Sequence, residues 1–92
     1  MFTTRIELHK ANDSDYEKLH SEMEKEGFSR KIRGDDGIIY NLPTAEYNKE
    51  GSYTIQTIYA QAERAANKTG KAFYMFISEA TKRVWKLDVA KK

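Results

Sequence analysis

Four side chains of this sequence carry the means to move a proton and steady a phosphate. His9 and His20 are its only histidines, and Arg30 and Arg33 lie a short way downstream. A histidine acting as general base, with an arginine on the phosphoryl oxygens, is a sufficient set for cleaving RNA without a metal. The two histidines lie on different elements, so their spacing defines no metal site. His20 adjoins Leu19 at the margin of an apolar helical stripe. A partly buried structural histidine is the competing reading there.

A second set could bind rather than cut. Arg30, Lys31 and Arg33 supply cations, and Tyr40, Tyr74 and Phe76 supply rings. On a sheet they would hold single-stranded RNA, with phosphates on the cations and bases stacked on the rings. The alternative is that Tyr74 and Phe76 pack under a terminal hairpin or at a dimer interface. Asp35-Asp36 could offer paired carboxylates to a divalent cation. Flanked as Gly34-Asp-Asp-Gly37, the pair equally suits a hairpin turn, which asks for residues tolerant of positive φ. Pro43-Thr-Ala-Glu-Tyr47 is a further polar segment, with Glu46 and Tyr47 as its candidate polar partners. The chain has no phosphate loop, no Gly-x-Ser-x-Gly and no His-Glu-x-x-His. If it cleaves RNA, the expected reaction uses no metal and no cofactor.

The elements that must position these residues follow from periodicity. Phe2, Thr4, Ile6 and Leu8 alternate with Thr3, Arg5, Glu7 and His9, which predicts a first strand with the former set toward the helices. Asn12-Asp-Ser-Asp15 then starts a helix. Ser14 with Glu17 fits a capping box, Tyr16, Leu19 and Met23 form the apolar stripe, and Gly27 stops it. Phe28–Arg33 and Ile38–Leu42 read as two strands around the Gly34–Gly37 turn, with Ile39 toward the core or, in the reverse register, its neighbours. Residues 43–51 read as a connecting loop too polar to bury. A second helix is expected over about Thr54–Lys68, with Ile55, Ile58, Tyr59, Ala62, Ala65 and Ala66 on its apolar face. Lys71–Ser78 is the most apolar strand, carrying Phe73, Met75 and Ile77 on one face and Ala72, Tyr74 and Phe76 on the other. That pattern predicts cover on both faces. Arg83–Leu87 is expected to return as an extra C-terminal strand. The order is β-α-β-β-α-β, a small α+β sandwich with both helices on one face of an antiparallel sheet. Phe2, Ile6, Leu8, Leu19, Met23, Ile32, Ile39, Ile58, Ala62, Phe73, Met75 and Ile77 form the expected core.

At 92 residues the chain suits one domain with one modest core, ending in a loose tail over about 89–92. It has no cysteine, so disulfides and thiolate metal sites are excluded. No apolar run approaches a membrane span, and the start lacks the form of a signal peptide. A cytoplasmic protein, monomeric or weakly dimeric, is the expectation. The net charge of +2 says little, but its distribution is uneven. Residues 1–28 hold seven acids and four bases, whereas residues 68–92 hold seven bases and two acids. Such polarity can steer an anion to one side, or can simply keep the surface solvated.

Several stretches resemble one family across nearly the whole chain. Thr3-Thr-Arg-Ile-Glu-Leu-His9, Asp15-Tyr-Glu-Lys-Leu-His20, Glu26-Gly-Phe-Ser-Arg30, Tyr40-Asn-Leu-Pro-Thr-Ala-Glu-Tyr47 and Ala65-Ala-Asn-Lys-Thr-Gly-Lys71 are similar to small bacterial proteins grouped with the GhoS endoribonuclease antitoxins. The resemblance implies a ferredoxin-like fold, shared with small CRISPR-associated nucleases. It also implies cleavage of a toxin messenger RNA, as in a type V toxin–antitoxin system. Two positions depart from that pattern. Where the related nucleases close the first strand with a metal-holding aspartate, this chain reads His9-Lys-Ala-Asn12, and its first aspartate is Asp13. The family's helix-one arginine associated with activity falls at His20, so that role does not transfer.

Overall fold

The computed structural model describes residues 1–90. Seven elements follow in order: β1 (Phe2–Leu8), α1 (Asp13–Lys25), β2 (Lys31–Arg33), β3 (Ile39–Asn41), β4 (Glu46–Lys49), α2 (Ile55–Asn67) and β5 (Phe73–Glu79). They form a small α+β fold with two antiparallel sheets, one of three strands in the order β4-β1-β5 and one the β2–β3 hairpin. No helix among the described residues is long and apolar enough to cross a membrane.

β1 is the central strand because both its edges are used. It pairs with β5 along its whole length, from Phe2 opposite Glu79 to Leu8 opposite Phe73, and with β4 from Phe2 opposite Lys49 to Arg5 opposite Glu46. Its alternation sends Phe2, Thr4, Ile6 and Leu8 into the core and leaves Arg5 and Glu7 exposed. Both helices cover that core face. Leu19 and Met23 of α1 and Ile58, Ala62, Ala65 and Ala66 of α2 pack with Phe2, Ile6, Leu8, Phe28 and Tyr47. The alanines carry no bulk, so α2 lies close to its neighbours.

The helix ends are set by side chains. Asn12, not Ser14, caps α1: its Oδ1 accepts from the Asp15 N–H at 3.0 Å, and the Asp15 carboxylate accepts from the Asn12 N–H at 3.0 Å. The capping box thus lies two residues earlier than Ser14 with Glu17 would place it, and uses an equivalent pair of residue types. At the other end Gly27 has φ +91°, the Gly27 N–H donates to the Glu24 carbonyl and the Phe28 N–H to the Met23 carbonyl. This closure turns the chain so that Phe28 enters the core beside Met23. Thr54 caps α2 by accepting from the Thr57 N–H. Three side-chain links tie the helices at their C-terminal ends. Arg64 grips Glu26 with two bonds of 2.7 Å, Lys68 lies 3.7 Å from Glu22, and Lys49 Nζ donates to the Glu26 carbonyl and to Gln61 Oε1.

The segment expected to be a polar loop contains β4. Tyr47 in its middle is fully buried, and Asn48 and Lys49 are buried with it. The polar groups are admissible because each finds partners. Asn48 Oδ1 accepts from Arg83, and its main chain bridges Ser29 through bonds of 2.8 and 2.7 Å. Lys49 is bonded as above and lies over the Phe28 and Tyr53 rings.

The expected C-terminal strand is not formed. Residues 82–88 follow an irregular path, and pairing resumes only where Val89 bridges Tyr40, with the Asn41 N–H donating to the Asp88 carbonyl and the Ala90 N–H to the Ile39 carbonyl. Arg83 directs this path. Its Nη1 donates to Thr3 Oγ1 and Asn48 Oδ1, and its Nη2 to Glu50, which draws the segment over the β4 side of the sheet and away from β5. Val89 and Ala90 are therefore bonded to β3, although the loose tail was expected to begin there; Lys91 and Lys92 lie outside the described residues. In the β2–β3 hairpin Ile32 stands opposite Tyr40, so Tyr40 rather than Ile39 shares the buried face, the reverse of the two registers open from the sequence. Ile39, Phe73, Met75 and Ile77 are half-buried, not fully enclosed.

Candidate nucleic-acid interface

The sheet face turned away from the helices is divided in two. On the β4 side, Arg83 and the segment behind it cover Thr3 and Asn48. On the β5 side nothing among the described residues lies over the rings. Tyr74 is 69% exposed and Phe76 71% exposed, two residues apart and on the same face. The expected cover on both faces of this strand is absent, because the C-terminal segment crosses elsewhere. Alternation spaces the two ring-bearing positions by about 7 Å. Register places Arg5 opposite Phe76 and Glu7 opposite Tyr74. The His9 ring meets Tyr74 edge-on, with centroids 4.4 Å apart and planes at 78°. The result is an exposed aromatic pair on a rigid strand, with one cation, Arg5, and two carboxylates, Glu7 and Glu46, on the same face. Flat π faces accept stacked bases irrespective of sequence.

The cationic residues expected to share this surface lie elsewhere. Arg30, Lys31 and Arg33 belong to the β2–β3 hairpin, which reaches the main sheet through the Ser29–Asn48 bridge at the β4 edge. β5 is the opposite edge, three strand spacings or about 14 Å away. Arg30, Lys31 and Arg33 are exposed. Tyr40 is half-buried, its hydroxyl donating to Asp36 Oδ2 and its ring packing against Trp85 at 5.8 Å. The six residues therefore form two groups, the hairpin cations with Tyr40 and the β5 rings. Arg5, Glu7 and His9 are the residues that join the rings. The sequence carried the signal for Arg5, since strand alternation already put it with His9 on the far face.

The four residues of the cleavage set also separate. His20 lies against the core, nearly buried, with Nδ1 2.6 Å from the Tyr47 hydroxyl. Burial pushes its pKa below the ordinary histidine value, the nearby Arg30 guanidinium pushes in the same direction, and Glu17 opposes them. Burial likewise pushes the Tyr47 phenol up. Both partners are thus neutral near pH 7, and the bond joins two uncharged groups. His20 and Arg30 are within electrostatic reach of each other, whereas His9 is on the sheet face with Tyr74 and Arg33 is on the hairpin. Tyr47 is the partner that completes the His20 site.

Asp35 and Asp36 sit in the turn between β2 and β3. Asp36 Oδ1 accepts from the Ile38 N–H and Oδ2 from the Tyr40 hydroxyl, while Gly37 takes φ +81°. These bonds make the carboxylate a turn-former. No cluster of three or more potential metal-ligating side chains occurs among the described residues.

Comparison with protein-family models, with curated proteins and with solved structures gave no match in any of the three.

Proposed function

We propose that this chain is a single-stranded RNA-binding protein that uses its open sheet face, with bases stacking on Tyr74 and Phe76 and a phosphate held by Arg5. The exposure of two rings on one face of a sheet strand carries this reading. A soluble fold does not leave such groups in water without cost, and the strand fixes their spacing. The reading is in keeping with the GhoS-like resemblance, in which a cytoplasmic antitoxin acts on a messenger RNA. It takes the fold as ferredoxin-like, with the Ser29–Asn48 bridge setting the β2 segment beside β4 and both helices on one face. Binding, not cleavage, is the activity proposed. His20 would have to leave Tyr47 and regain solvent before it could accept a proton from a ribose hydroxyl.

A second reading, a non-enzymatic module that docks another protein on the same face, is favoured by the apolar character of the rings. Salt separates the two. RNA affinity, measured by fluorescence anisotropy with a short labelled single strand, should fall about threefold between 50 and 200 mM salt, the change expected for the one phosphate contact at Arg5, because a bound cation displaces a counterion. An absence of binding at the lowest salt would remove the RNA reading and leave the docking module.

A further inference from the structure

Among the described residues, nothing pairs with the outer edge of β5. β5 bonds to β1 on one side only, and the chain beyond Glu79 turns back over the β4 side of the sheet. The His9 N–H donates to the Ala72 carbonyl and the Ala80 N–H to the Met1 carbonyl. In this register the even-numbered residues of β5 therefore bond to β1, and the odd-numbered ones, Phe73, Met75, Ile77 and Glu79, point their N–H and C=O groups outward. Proteins ordinarily blunt such an edge with proline, lysine, a bulge or a covering loop. β5 runs from Phe73 to Ser78 without a charge or a proline, and its pairing with β1 has no bulge. Against its helix-side flank lies an apolar groove of about 400 Å³, lined by Ile55, Gln56, Tyr59, Met75, Phe76 and Ile77.

We infer that a second copy of this chain occupies this edge, β5 against β5 in antiparallel register about Met75, to make one continuous six-stranded sheet. The strand is self-complementary about that residue. Tyr74 of one copy then faces Phe76 of the other on the open side and Phe73 faces Ile77 on the helix side, while Lys71, in the bend two residues before the strand, comes beside the other's Glu79 at both ends. The outward-pointing residues are the odd-numbered set that this register bonds together. Phe73 of each copy enters beside the other's groove at Ile77. Lys71, 3.7 Å from Asp15 within its own chain, is close enough to its new partner to exchange. The inference stands on edge geometry and charge order, independently of the RNA reading. It would place four exposed rings in line on one face.

Sedimentation of the full chain without RNA, at tens of micromolar and 0.15 M salt, should give twice the 10.7 kDa chain mass. The amides of Phe73, Met75 and Ile77 should gain protection from hydrogen exchange as concentration rises. Lys71→Glu and Glu79→Lys should each weaken association about tenfold by setting like charges opposite at both ends of the pair, and the double swap should restore it. Both positions are at the surface, and circular dichroism checks that the variants fold. A monomer at every concentration would overturn the inference. So would a dimer whose β5 amides stay unprotected, or one indifferent to both charge changes.

Discussion

His20 and Tyr47 form the clearest single interaction in the molecule, because a 2.6 Å bond joins two groups that burial keeps neutral. The pH dependence follows from the sign of the shift. With a folded pKa below the ordinary 6.5, the unfolded chain takes up a proton first as pH falls. The stability from neutral His20 is therefore full above about pH 6.5 and is lost as pH drops through the lowered value. Glu22 and Glu26 are held below the carboxylate range, mainly by their bonds to Lys25 and Arg64, so their contributions are lost only at more acid pH. Urea midpoints measured from pH 7.5 to 5 should decline for the native chain and be flatter for His20→Gln. Tyr47→Phe leaves a buried ring nitrogen without its partner and should cost about 1–3 kcal/mol. Thr4 makes the opposite case. Its side chain is fully buried and Oγ1 has no hydrogen-bond partner among the described residues, so Thr4→Val should raise stability, by about 1 kcal/mol in thermal unfolding.

At the scale of elements, the helices and β1 were legible because solvent sorts their residues by periodicity. Leu19 and Met23 on α1, and Ile58 and Ala62 on α2, are buried as spacing requires. Leu19→Ala should cost about 2–5 kcal/mol by chemical denaturation, since the site is fully enclosed. β4 was not legible. Glu46-Tyr-Asn-Lys49 has one apolar residue, and its burial depends on partners distant in sequence: Arg83 for Asn48, and Gln61 with the Glu26 carbonyl for Lys49. Residues 83–87 show the converse. Val84, Trp85 and Leu87 look like a strand, yet Arg83 anchors the segment across the sheet and leaves Val84 98% exposed. Arg83→Ala should therefore free the segment. The amide of Asn41, which donates to the Asp88 carbonyl, should then exchange at least several-fold faster while those of α1 and α2 change little.

For the whole molecule, the candidate residues were legible as types and not as a site. Alternation put Tyr74 and Phe76 on the face away from the helices, but whether anything covered them depended on the path of the C-terminal segment. Arg30, Lys31 and Arg33 are exposed, but on the opposite edge of the assembly from the rings they were expected to join. The two groups therefore make distinct demands on an RNA strand. One that stacks on β5 depends on Tyr74, Phe76 and Arg5; one that reaches the hairpin as well would have to cross the covered β4 side. The central claim concerns the rings, and the direct measurement is the RNA affinity of Tyr74→Ala, Phe76→Ala and the double variant at low salt, with folding verified by the amide spectrum. Each single change should weaken binding about fivefold to a hundredfold, the loss expected for one unstacked base. The Arg30, Lys31 and Arg33 variants should change affinity less. Full-strength binding by a folded double variant would contradict the account.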